Sequence, residues 1–152
     1  MKSQLLAVTL IASVLVAALG ALSIAEDEAE GYAVTCPVSG KEIDKEVKVD
    51  YKDGQVFFCC PGCPGPFKRD TAKFAAFANA QLVATGQYQA KACPITGKKI
   101  NPETAVVVAG VKVAFCCNDC KGKVEKAEGP AKIELVFNDK AFEKGFEKPA
   151  SE

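Results

Sequence analysis

Eight cysteines and no histidine make sulfur the most reactive side-chain chemistry this sequence carries. Without histidine there is no Ser-His-Asp triad, no Cys-His nucleophile pair and no imidazole metal ligand. The cysteines are not scattered. Cys36, Cys59, Cys60 and Cys63 recur as Cys93, Cys116, Cys117 and Cys120, each displaced by the same 57 residues. Their surroundings repeat with them: Cys36-Pro37-Val38-Ser39-Gly40-Lys41 matches Cys93-Pro94-Ile95-Thr96-Gly97-Lys98, and Phe58-Cys59-Cys60 matches Phe115-Cys116-Cys117. Self-similarity at one fixed period marks the duplication of a structural unit. Within each unit, Cys36, Cys59 and Cys63, and likewise Cys93, Cys116 and Cys120, follow the pattern C-x22-C-x3-C. Three or four thiolates gathered together form a soft donor set suited to Zn(II), Cu(I) or a comparable thiophilic ion. Cys60 and Cys117 are additional; they could complete a four-thiolate set, stay inert or take part in redox chemistry.

The elements that position these sulfurs can be read coarsely. Cys36 to Gly40 is a turn, with Pro37 fixing one dihedral and Gly40 free to take a positive one. Val47, Val49 and Tyr51 alternate with charged residues, the period of a half-buried strand. Asp53-Gly54 predicts a hairpin turn, and Gln55 to Phe58 the return strand. The second unit repeats this with Thr104 to Val108, a turn at Ala109-Gly110, and Val111 to Phe115. Each hairpin therefore delivers a cysteine pair at the end of its second strand. Pro61 and Gly62 break the strand and start a helix near Cys63. Phe67, Phe74, Phe77 and Leu82 recur at helical spacing, which predicts one amphipathic core-packing helix over 65–83. The matching helix after Cys120 is shorter and stops at Gly129-Pro130. Ile133 to Phe137 reads as an extra strand and Lys140 to Glu147 as a last short helix. The fold class is α+β.

Nineteen basic and nineteen acidic side chains leave no net charge, which argues against nucleic acid as a partner. At the start, Lys2 precedes an apolar run from Leu5 to Leu19, and Ser23 and Ala25 are small. That arrangement predicts a secretory signal cleaved after Ala25, with an uncleaved membrane anchor as the alternative. The expected organisation is a signal peptide at 1–25, a first module at 26–89, a second at 90–147 and a tail at 148–152. After cleavage no stable membrane span remains, and the protein is secreted or periplasmic. Units of about 60 residues bury only a marginal core, so a sulfur-based staple is physically expected in each. Export brings disulfides forward as an alternative to a metal. A third reading is a dithiol oxidoreductase built on Cys60-Pro-Gly-Cys63 and Cys117-Asn-Asp-Cys120, although no thioredoxin-like βαβ pattern surrounds either pair.

The C-x22-C-x3-C spacing, the Phe58-Cys59 and Phe115-Cys116 starts and the helix that follows resemble the TRASH and YHS families. These are small treble-clef-like metal-binding domains implicated as a group in heavy-metal sensing, trafficking and resistance. The resemblance covers residues 33–77 and 90–127. The Cys36-Pro37-Val38-Ser39-Gly40 and Cys93-Pro94-Ile95-Thr96-Gly97 knuckles also look like the first knuckle of certain ribosomal zinc proteins. Related zinc knuckles often carry a second cysteine where this chain has Ser39 and Thr96. The resemblance implies two tandem treble-clef or zinc-ribbon-like modules, each a cysteine knuckle, β-hairpin and helix. It implies the ligands Cys36, Cys59 and Cys63 in one, Cys93, Cys116 and Cys120 in the other, and about one ion per module. The expected function is zinc or copper binding or trafficking, with a protein partner in metal transfer. No enzyme activity is expected, because no paired carboxylates, phosphate loop or nucleophile–base pair stands at meaningful spacing.

Overall fold

The computed structural model of the chain describes residues 34–150; the expected leader, 1–25, lies outside them. Alternating apolar and charged residues produce β1 (Asp44–Tyr51), antiparallel to β2 (Gly54–Phe58). The turn between them falls on Lys52 and Asp53, both left-handed (φ 47° and 58°), one residue earlier than the Asp53-Gly54 signal predicts. Gly54 serves packing instead. A Cβ there would lie 2.7 Å from Gln87 Oε1 and 2.8 Å from Leu82 Cδ2, so the missing side chain admits the end of a neighbouring helix.

That helix belongs to a pair, α1 (Pro64–Arg69) and α2 (Thr71–Ala84), where the apolar spacing predicts a single helix. Asp70 causes the break. Its backbone leaves the helical region, and its carboxylate accepts from the Lys73 N–H at 3.2 Å, capping α2. Nor is α2 amphipathic: every residue from Ala75 to Leu82 except half-buried Phe77 is buried. The first hairpin covers one side of α2 and helices from the second half of the chain cover another.

A two-residue strand, β3 (Gln89–Ala90), leads to the second hairpin, β4 (Asn101–Val108) and β5 (Val111–Phe115). Here the turn is the expected Ala109-Gly110, with φ of 50° and 71°, the left-handed pair whose twist suits a two-residue hairpin. Then come α3 (Asn118–Lys126), α4 (Gly129–Phe137) and α5 (Asp139–Gly145). The strand expected at Ile133 to Phe137 is thus helical. Pro130 sits in the first turn of α4, where its missing N–H costs nothing, and Ile133, Val136 and Phe137 share one inward face. The chain closes with β6 (Phe146–Glu147), antiparallel to β3.

The architecture is α+β, with three two-stranded antiparallel sheets among the described residues. One contiguous apolar core runs from Val56, Phe58 and Leu82 to Val113, Phe115, Val136 and Phe142. Among the described residues no helix is long and apolar enough to cross a membrane. Polar side chains tie the halves together. Asn79 of α2, fully buried, donates from Nδ2 to the Phe137 carbonyl at 2.8 Å and to Asp139 Oδ1 at 3.0 Å.

Two glutamines treat the open edge of β2 as a third strand would. Gln81 Oε1 accepts from Phe57 N–H at 2.6 Å, while its Nε2 donates to the Phe57 carbonyl at 3.0 Å and the Thr35 carbonyl at 3.0 Å. Gln87 pairs in the same way with both backbone groups of Gln55. A side-chain amide thus satisfies groups that would otherwise be buried unpaired or exposed for edge pairing. Replacing Gln81, only 3% exposed, by Ala strands the Phe57 amide. It should cost about 2 kcal/mol in urea unfolding, against less than about 0.5 kcal/mol for Ala at an exposed α2 position such as Lys73.

Candidate metal centres

Each candidate centre grows from three local structures. The first is the knuckle. Cys36 N–H donates to the Lys41 carbonyl at 2.8 Å, and Gly40 N–H donates to the Cys36 carbonyl at 2.8 Å. The equivalent bonds, Cys93 N–H to Lys98 O and Gly97 N–H to Cys93 O, measure 2.8 and 2.7 Å. Gly40 and Gly97 take φ of 70° and 74°, the left-handed conformation only glycine adopts without steric cost. The second structure is the hairpin, whose returning strand ends on Phe58 or Phe115; both rings are fully buried and anchor the next cysteine. The third is the helix start, and here the units differ. Cys63 caps α1 after a turn in which its N–H donates to the Cys60 carbonyl at 3.2 Å. In the second unit α3 begins at Asn118, so Cys117 is the capping residue and Cys120 lies in the first turn.

Both routes bring the sulfurs together. The Sγ atoms of Cys36, Cys59 and Cys63 lie within 4.8 Å of one another, as do those of Cys93, Cys116 and Cys120. Cys59 and Cys63 are 3.6 Å apart, and Cys116 and Cys120 are 3.7 Å apart. Four sulfurs each about 2.3 Å from a tetrahedral zinc stand about 3.8 Å from one another, so these spacings match the edges of a thiolate metal site. Cys36, Cys63, Cys93 and Cys120 are buried, whereas Cys59 and Cys116 are half-buried and give each trio a face toward solvent. None of the eight cysteines is in a disulfide.

The protons in each trio are unevenly held. Burial alone would raise the Cys36 thiol. It is outweighed by the Ser39 hydroxyl and by the backbone N–H groups of Cys59, Ser39 and Val38, which bring the thiol down to about 7. Cys93 reaches about 7 in the same way, against its burial, through Thr96 and the N–H groups of Cys116, Thr96 and Ile95. Cys63 and Cys120 go the other way, to about 12, first through burial and then through neighbouring sulfurs that favour the protonated form. Each trio therefore sets one thiol that ionises near neutral pH beside one that keeps its proton there. A thiophilic cation bound by all three would supply positive charge, and the donor set fits it.

Comparison with protein-family models, with curated proteins and with solved structures finds no match. The chemistry of the two centres rests on the side chains themselves.

Two hydroxyls belong to the site that the spacing of cysteines alone did not single out as participants. Ser39 Oγ lies 3.1 Å from Cys59 Sγ, and Thr96 Oγ1 lies 3.2 Å from Cys116 Sγ. Both also face a backbone N–H two residues on, at 3.4 Å. The signal was present in the repeat, which keeps a hydroxyl at both positions. Cys60 and Cys117, in contrast, stand outside the mutually close trios.

The proton pattern makes affinity pH-dependent in a stated direction. A metal must displace the Cys63 and Cys120 protons at any ordinary pH, whereas those of Cys36 and Cys93 return only below about 7. Zinc affinity, read by competition with a chromophoric chelator, should weaken as pH falls. Its slope against pH should steepen by one proton per centre below about 7. Removing the hydroxyls with Ser39→Ala and Thr96→Val should move that break to higher pH. A break that stays in place would deny the hydroxyls any part in holding the anion.

Proposed function

We propose that the protein is an exported metal-binding protein that holds one thiophilic ion, Zn(II) or Cu(I), in each of two cysteine-thiolate centres. Its role is the binding or trafficking of such ions rather than catalysis, with delivery to or from a protein partner. One observation carries the reading: two trios of cysteines, related by a single 57-residue offset, each close to within 4.8 Å. The same convergence recurs in both copies although their helix starts differ, which makes the sulfur trio a property of the repeated unit. Knuckle, hairpin and helix follow one another in each unit, in keeping with tandem treble-clef-like modules of the TRASH and YHS type. Disulfide stabilisation receives no support from the sulfur geometry, since all eight thiols are free.

Metal analysis with thiol counting on protein isolated without added reductant tests this directly. About two ions per chain, released together with reactive thiols by a strong chelator, is the expected result. Cys36→Ser and Cys93→Ser should each lose one ion, and the double variant both, with thermal stability falling in step because metal binding contributes to folding. Metal-free protein without free thiols would return the assignment to disulfides, and undiminished metal in the double variant would refute the ligands.

A further inference from the structure

Cys60 and Cys117 are the two sulfurs left over from the trios. Each nevertheless touches its centre: Cys60 Sγ lies 3.6 Å from Cys63 Sγ, and Cys117 Sγ lies 3.6 Å from Cys116 Sγ. Cys60 is exposed and Cys117 half-buried, unlike the buried sulfurs of Cys36, Cys63, Cys93 and Cys120. Among the described residues no aspartate or glutamate joins either trio to serve as a fourth donor. The Ser39 and Thr96 hydroxyls are engaged with Cys59 and Cys116. Each centre thus consists of three sulfurs already gathered and a fourth at its rim, interacting with two of the three: Cys60 with Cys59 and Cys63, Cys117 with Cys116 and Cys120.

We propose that Cys60 and Cys117 are the closing ligands of the two centres, and that they set the class of ion each centre prefers. This rests on the metal-centre reading above. Three thiolates satisfy a monovalent soft ion such as Cu(I) but leave a divalent tetrahedral ion one position short, and structural zinc sites close that position with a fourth protein donor. A change of side-chain rotamer at an exposed or half-buried cysteine is an inexpensive motion, and each rim sulfur starts only 3.6 Å from a trio sulfur, whereas the buried members are held by close packing. Closure transfers one proton from the thiol to solvent and requires no oxidant. With the rim thiols in place, each centre is a four-thiolate site for Zn(II) or a similar divalent ion; without them, it keeps a three-thiolate site for Cu(I).

Cobalt(II) is the probe, because its sulfur-to-metal charge-transfer absorption grows with the number of thiolates bound. The full chain and the Cys60→Ser/Cys117→Ser variant would be compared, with circular dichroism confirming the same fold. The variant should still bind two Co(II) per chain, with charge-transfer absorption per ion reduced by about one quarter. Its Zn(II) affinity should fall about tenfold or more, with Cu(I) binding unchanged. Equal absorption and equal Zn(II) affinity in the two proteins would overturn the proposal, as would parallel losses of Zn(II) and Cu(I). If the parent chain binds no cobalt, or if Cys36→Ser/Cys93→Ser still binds two ions, it is the metal-centre reading that fails, a result distinct from failure of the rim thiols alone.

Discussion

Three sulfurs drawn into one small, partly buried volume cannot all be anions unless a cation shares the space. The constraint shows in the protons: within 4.8 Å of one another, Cys36 is pulled down to about 7 while Cys63 is pushed up to about 12. Backbone N–H groups and one hydroxyl suffice to steady a single thiolate. A second thiolate at Cys63 would be buried beside the first, and burial is the largest reason its proton is held. Much of the local structure serves to hold this tension in place. The knuckle turns its N–H groups inward, the hairpin carries Cys59 to the same end, and the helix start returns Cys63 beneath them. A folded scaffold that gathers sulfurs whose charges oppose one another has spent conformational entropy on an arrangement that one bound ion turns into mutual attraction.

Two such scaffolds of this size could not each bury a full core, and they do not try to. Helix α2 belongs to the first repeat by sequence but is packed against α4 and α5 as well as against β2. Around Asp139 the two halves meet in a polar junction: its carboxylate accepts from Asn79, pairs with Lys52 Nζ at 3.1 Å and faces the Tyr51 hydroxyl. Burial works against ionisation of Asp139, yet those donors hold its carboxyl below the ordinary range. The Lys52 pair is partly exposed and contributes little by itself. Specificity comes from Asn79, which is fully buried and whose Nδ2 reaches two acceptors across the seam; its Oδ1 is buried without a partner, and a shifted α2 would strand the Nδ2 donors as well. The short β3–β6 ladder and the Tyr88, Phe142, Phe146 and Phe137 ring contacts close the other end.

What could be read from the sequence was whatever depended on spacing. The offset of 57 residues paired all eight cysteines because a repeat preserves register, and the C-x22-C-x3-C pattern with its family resemblance picked six of them. Alternation at Val47, Val49 and Tyr51 revealed the hairpin because one of its faces is wet. Readings failed where a tertiary partner changed the meaning of a local pattern. The apolar run from Ile133 to Phe137 is β-branched and aromatic enough for a strand, and too short for periodicity to decide; Pro130 in the first turn and α2 alongside make it helix. Phe67 and Phe74 are at helical spacing, but Asp70 between them prefers to cap than to continue. Gly54 looked like a turn residue and is a contact residue. The glutamine clamp on β2 left no pattern at all, since a polar residue on a helix ordinarily signals solvent.

The two centres also show which element decides the sulfur positions. Behind Cys59 the chain reads Cys60-Pro61-Gly62-Cys63 and enters a six-residue helix with proline at both 64 and 66 and no acidic residue in its first turn. Behind Cys116 it reads Cys117-Asn118-Asp119-Cys120 and enters a nine-residue helix three positions earlier in the repeat, with Asp119 favourably placed at its positive end. A helical first turn and a proline–glycine turn differ in backbone path, yet each rim cysteine reaches the second and third sulfurs of its trio: Cys60 interacts with Cys59 and Cys63, Cys117 with Cys116 and Cys120. The inner contacts, Cys59 to Cys63 and Cys116 to Cys120, also agree to within 0.1 Å, at 3.6 and 3.7 Å. Since the helix starts diverge and the trios do not, the invariant part of the design is the knuckle, whose hydrogen bonds match bond for bond, and the hairpin, whose register at the turn and at Phe58 and Phe115 is the same in both units. The x3 spacing needs only one turn of chain to return a sulfur to the same place, and either kind of turn provides it.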